Sequence, residues 1–303
     1  MTFETKLRKS KSNIKSSSQD TYIRNIKRLR KVHGKLPIPE DTHKWLVEKK
    51  LFTWYDKEPL SVRRHMSNAA IIALKVYGHE NKEWTKRQRS SMEQFDRERR
   101  ERKLSDKQKN NIPTGGFDRI KKVVTQMKRE LTHVKEIKNI KDLIRYQDLL
   151  ILALYYEYPL RLDFATLKIG FEKTGNVIYK NKKKPKGWHI ELRDFKTHRT
   201  EGDKKFKLNM GNQRLLNKYI PASEKLTEHG YLLSNARGQK MSKQVLSKRL
   251  MGITSKRIGK SFSVQLLRIL YAMRNRDVIE TAKEVSEKLL HSQKQTLQYA
   301  KKI

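Results

Sequence analysis

The chain predicts a mainly helical α+β protein in two domains, with one small antiparallel β-sheet inside the second. Three observations carry that expectation. Apolar residues recur at helical spacing through most of the 303 residues. One stretch, 177–208, changes to a strand-like period. Asn110–Gly116 (NNIPTGG) sets Pro and Gly among turn formers, which marks a domain boundary.

Residues 1–18 are rich in Lys and Ser without apolar periodicity and read as a flexible basic tail. A helical domain, 19–110, follows. Tyr22, Ile23, Ile26 and Leu29 mark its first helix, with Asp20 as N-cap. A Pro-containing loop, Leu36–Glu40, interrupts the pattern before helices over 42–48 and 60–77; the second carries Val62, Met66, Ala69, Ile72, Leu74 and Val76 as its apolar stripe. Trp84–Lys109 is dominated by charge and reads as a solvated or DNA-facing helix.

The second domain, 111–303, opens with helices over about 117–132 and 139–157. Leu149–Tyr156 is apolar nearly all round, as expected of a helix at a domain centre, and Pro159 stops it. Strands follow at Val177–Tyr179, Trp188–Leu192 and Phe206–Leu208, joined by the basic turn KNKKKPKG and by DFKTHRTEGDKK. Helices return over about 212–219, 242–258, 263–274, 277–290 and 293–300. Val278, Ala282, Val285 and Leu289 are the expected buried stripe of the fourth.

Charge identifies the class of partner. With 71 Lys+Arg against 32 Asp+Glu the net charge is +39, an electrostatic footprint for a polyanion whose binding weakens steeply with salt. No apolar run reaches the roughly 18 residues that a membrane span needs, so no membrane partner is expected. The start, MTFETKLRKSKSN, has no apolar stretch like a signal peptide, and cysteine is absent. An intracellular protein, in nucleus or cytoplasm and not secreted, is the resulting expectation.

Several side chains are placed to handle phosphate. Arg161, in YPLRLDFATLKI, stands among apolar neighbours after a buried helix; such an arginine needs an anion. From that segment alone an internal ion pair, to Asp163 or another carboxylate, is the favoured reading. Lys196 sits at a strand end, where an ammonium is held reproducibly. Gln265 and Arg268 share one helix face. His291 ends the next helix and Tyr299 lies beyond it; either alone reads most simply as a structural residue.

In that order and context the residues resemble the tyrosine recombinases, the lambda-integrase family of site-specific DNA recombinases and integrases. The resemblance spans nearly the whole chain. It implies an N-terminal core-binding domain and a C-terminal catalytic domain meeting near NNIPTGG. Arg161 in PLRL then matches the family's first catalytic arginine, Lys196 the lysine of the sheet turn, Gln265 and Arg268 its His-x-x-Arg motif, His291 the later histidine and Tyr299 the nucleophile. By that resemblance Tyr299 becomes joined to the DNA 3′ phosphate and a second strand's 5′ hydroxyl reverses the reaction. The implied partner is double-stranded DNA bound by a homotetramer on two sites. Neither cofactor nor metal is implied, and the setting is a virus or other mobile element.

The chemistry accounts for these residue types. A phenol with an ordinary pKa of about 10 is a weak nucleophile at neutral pH. Two guanidiniums grip the non-bridging oxygens, His291 adds a donor, and Lys196 protonates the departing 5′ oxygen.

Three departures from the family pattern stand out. Gln265 replaces a histidine and cannot take a proton near neutrality. Asp163 and Phe164 stand where the family often has Ser-Glu. Only Ala300–Ile303 follow Tyr299, so subunit coupling through a longer C-terminal segment is not expected. The rival reading is a catalytically inactive DNA-binding protein of the same fold.

Overall fold

The computed structural model describes residues 2–14, 16–34, 37–38, 42–101 and 104–288. They form two compact units, Met1–Leu104 and Ser105–Ile303. The fold is mostly helical with one small sheet, an α+β architecture. No described helix is long and apolar enough to cross a membrane.

The first unit holds α1 (Phe3–Ser10), α2 (Ser16–His33), α3 (Thr42–Trp45), α4 (Lys49–Lys57), α5 (Leu60–Val76) and α6 (Lys82–Arg100). Its core draws on Ile23, Ile26, Leu29, Leu51, Tyr55, Met66 and Trp84, among others. Three expectations change here. The basic segment before residue 19 is not wholly a tail: Thr2 caps α1, and Phe3 and Leu7 are buried in the core. Two apolar residues one helical turn apart suffice to dock a short helix that composition alone reads as solvated. Likewise α2 begins at Ser16, so Asp20 lies inside it, where it accepts a 2.6 Å hydrogen bond from Arg8. Trp84 is fully buried, its indole N–H donating to the Leu46 carbonyl at 2.7 Å, although charged neighbours surround it in sequence.

If α1 is an integral part of this core, Phe3→Ala creates a cavity and should lower the stability of the first unit by about 3 kcal/mol. Urea titration followed by tryptophan fluorescence measures it; an unchanged midpoint would return the segment to the status of a tail.

The second unit begins with α7 (Asp106–Asn110), opened by a Ser105/Gln108 capping box. Next come α8 (Asp118–Glu130) and α9 (Ile140–Glu157). Asn139 caps α9, accepting from the Asp142 N–H at 2.9 Å, and Leu149–Tyr155 are all buried. The helix stops before Pro159, whose ring disfavours helical backbone at Tyr158. A 3₁₀ turn, Asp163–Thr166, leads into the sheet.

The sheet contains β1 (Lys168–Ile169), β2 (Val177–Asn181), β3 (Gly187–Leu192) and β4 (Lys204–Lys207) in that spatial order. It is mixed, not wholly antiparallel: the short β1 runs parallel to β2, while β2–β3 and β3–β4 are antiparallel. A two-residue strand is too short for an alternating pattern to reveal. Ile178, Ile190 and Phe206 fall in register and turn one face toward the core.

Between β3 and β4 lies α10 (His198–Glu201), and after the sheet come α11 (Met210–Leu226), α12 (Lys243–Ile258), α13 (Val264–Arg274) and α14 (Arg276–Lys288). Bidentate bonds from Arg249 to Asp148, at 2.6 and 2.7 Å, tie α12 to α9, and Arg257 reaches Glu130 of α8 at 2.7 Å. Gly259 ends α12 in the left-handed region that its C-cap requires. The expected buried stripe of α14 is instead exposed at Val278 and Val285; amphipathic spacing identifies a face that can be covered, not what covers it. Leu289 and the helix expected over 293–300 lie outside the described residues.

Candidate functional site: a guanidinium pair over a buried carboxylate

Arg161 reaches its place through α9. The Tyr155 phenol is fully buried, meets Phe164 edge-on at 4.9 Å, and donates to the Arg161 carbonyl at 2.7 Å. Burial, reinforced by the Asp163 carboxylate, pushes the Tyr155 phenol far up, so it stays a donor at any working pH. This bond fixes the backbone of Arg161 and leaves its side chain half-buried. The guanidinium makes no hydrogen bond or ion pair with the described residues.

The internal Arg161–Asp163 pair favoured by local sequence does not form. Asp163 is 6% exposed, and its nearest cation is the Lys243 ammonium at 3.9 Å, at the start of α12 where the Ser242 hydroxyl caps the helix. Burial raises the Asp163 carboxyl above its ordinary range; Lys243, Arg161 and Arg268 pull it back, while Asp194 pushes it further up.

Arg268 arrives from the other end of the unit. On α13, capped by Ser263, Val264, Leu266, Leu267 and Leu270 are buried and leave Gln265 and Arg268 exposed. Partial desolvation, then repulsion from Arg161, lowers the Arg268 pKa, with Asp163 opposing. Arg161 and Arg268 are therefore close enough to repel, around one buried carboxylate that also faces Lys243. Neither guanidinium has a hydrogen bond or ion pair among the described residues, and the planar fork of each suits a phosphate.

Lys196 is exposed in the turn between β3 and α10, beyond the strand end itself. No described contact joins its ammonium to the arginines. Its turn is nevertheless connected to their surroundings through Asp194, which acts on Asp163 electrostatically. Gln265 lies on the Arg268 helix without a described side-chain hydrogen bond. His291 and Tyr299 lie outside the described residues. No group of three or more His, Asp or Glu side chains among the described residues could hold a metal ion.

Sequence reasoning missed Lys243, one of 71 cations with nothing local to single it out. It met Asp163 as a local ion-pair partner for Arg161 and as a departure from a motif, whereas the buried carboxylate faces Lys243 and also feels Arg161 and Arg268.

No family model matches the chain, and no curated protein matches it. Among solved structures, the crystal structure of XerA recombinase is similar at 12% identity and a TM-score of 0.37, over 99% of this chain and 93% of that chain. At that score the likeness carries no weight for individual residues.

Proposed function

We propose that this chain is a tyrosine-type site-specific DNA recombinase or integrase, cleaving and rejoining strands through a 3′-phosphotyrosine. The observation that supports it most is the pairing of Arg161 with Arg268, two guanidiniums on distant segments with no described anion of their own except the shared, buried Asp163. An arginine whose pKa is lowered by desolvation and by a neighbouring guanidinium suits a ligand that brings negative charge.

In this reading the two arginines hold the non-bridging oxygens of a scissile phosphate, and Asp163 with Lys243 sets their approach. The Tyr299 oxygen bonds to phosphorus as the bond to the 5′ oxygen breaks. The phenolic proton passes to solvent, and Lys196 gives a proton to the departing oxygen. His291 donates to the phosphate, and Gln265 adds an amide donor without proton transfer. Rejoining reverses these steps with a second 5′ hydroxyl. The substrate is double-stranded DNA, taken by four protomers on two sites, in an element of viral or other mobile origin.

Nicked suicide DNA, from which the cleaved fragment diffuses away, should trap a covalent protein–DNA adduct even in EDTA. Tyr299→Phe should abolish it while salt-sensitive DNA binding remains. Binding without any adduct across a broad substrate set would favour the non-catalytic reading. An adduct that survives Tyr299→Phe would remove the assigned nucleophile.

A further inference from the structure

We propose that Asn176 is a positioning residue that holds the Lys196 turn in register with the segment carrying Arg161; this rests on the catalytic reading above. Asn176 stands immediately before β2 and is 3% exposed. Its Oδ1 accepts from two consecutive backbone N–H groups, those of Arg193 and Asp194, each at 2.9 Å. Its Nδ2 donates to the Thr166 hydroxyl and to the Asp194 carbonyl, each at 2.8 Å. Thr166 in turn donates to the Asp163 carbonyl at 2.7 Å.

An amide side chain offers two donor hydrogens and one oxygen with two lone pairs, and all are used here. They join three chain segments: the 3₁₀ turn containing Asp163, the start of β2, and the base of the turn after β3. The Arg193 side chain braces the same base, donating to Glu191 at 3.1 Å and to the Glu172 carbonyl at 2.6 Å. Lys196 follows this fixed base and is itself exposed. A lysine on a flexible four-carbon stem can serve as general acid only if its backbone is placed, and Asn176 places it relative to Asp163 without touching substrate.

Asn176→Asp preserves the shape but turns both donors into an acceptor facing the Asp194 carbonyl, so the turn should shift. Cleavage of ordinary DNA should fall by about 10²-fold, the scale of a small misplacement of a catalytic group. A substrate with sulfur in place of the 5′ bridging oxygen should restore most of that loss, because a thiolate leaves without being protonated. Lys196→Ala should share this signature, whereas Arg161→Ala should not be rescued. Thr166→Val, which removes only the link toward Asp163, should give a smaller loss with the same sulfur rescue.

Hydrogen exchange on the intact Asn176→Asp protein should show faster exchange at the Arg193 and Asp194 amides, with the α9 core unchanged. A loss equal for oxygen and sulfur substrates, or unaltered exchange at those two amides, would overturn the inference. Failure of the wild-type protein to form an adduct with either substrate would instead overturn the catalytic reading, and the inference with it. The exchange result reports separately on whether the amide holds the turn.

Discussion

Arg161→Ala is expected to reduce DNA cleavage by about 10²–10³-fold, the scale of losing one preorganised donor to a developing charge, while leaving the free protein at least as stable. Arg268→Ala should behave alike. The two effects part because, in the proposed reading, each arginine acts on a bound phosphate and not on the fold. Without it, the Arg161 and Arg268 guanidiniums repel, which together with desolvation lowers the Arg268 pKa. Removing one relieves the other, and Lys243 still faces Asp163.

The test uses an anion. Sulfate binding to the pair should raise the wild-type melting temperature beyond the general stabilisation that sulfate gives any protein. The Arg161→Ala protein should show only the general part. Equal sulfate responses, or a large loss of stability in sulfate-free buffer, would show that the arginines are structural.

Gln147→Leu should destabilise the second unit by about 3 kcal/mol, or roughly 6–12 °C in Tm for a domain of this size. Gln147 is fully buried on α9; its amide donates to the Ser234 carbonyl at 2.9 Å and accepts from the Ser234 N–H at 2.7 Å. It also accepts from the Tyr219 phenol at 2.8 Å. Leucine fills similar space but leaves the Ser234 N–H and carbonyl buried without those partners. The phenol keeps the Leu232 carbonyl as an acceptor at 2.8 Å, so the damage should concentrate at Ser234. Tyr219→Phe should therefore cost less, about 1–2 kcal/mol. Scanning calorimetry of the two variants decides it, and a Gln147→Leu protein as stable as wild type would mean that the strand-like segment at Leu232–Ser234 can repack around leucine.

Much of the helical framework was legible because its signals are local. The apolar run Leu149–Tyr156 predicted the buried part of α9, and the helices expected over about 242–258 and 263–274 match α12 and α13 nearly to their ends. The errors came where a few contacts outweigh composition. Phe3 and Leu7 dock a helix inside a basic stretch, Trp84 is buried within a charged one, and the two-residue β1 is defined by its pairing with β2 and by a bridge to Tyr231. Periodicity also overstated the burial of α14, because a stripe on a helix says nothing about what faces it.

The candidate site divides in the same way. The residue types and their order, Arg161, Lys196, Gln265, Arg268, His291 and Tyr299, are properties of the chain alone. They suffice to suggest phosphate chemistry, as the charge of +39 suffices to suggest a polyanion. Only the tertiary structure decided that Arg161 and Arg268 repel across a shared carboxylate, that Asp163 faces Lys243 more closely than its neighbour Arg161, and that Asn176 ties the Lys196 turn to Asp163. The physical reason is range. Helix periods and caps depend on residues within a turn or two, whereas the meeting of charges is set by how α9, the sheet, α12 and α13 pack, which no local pattern specifies.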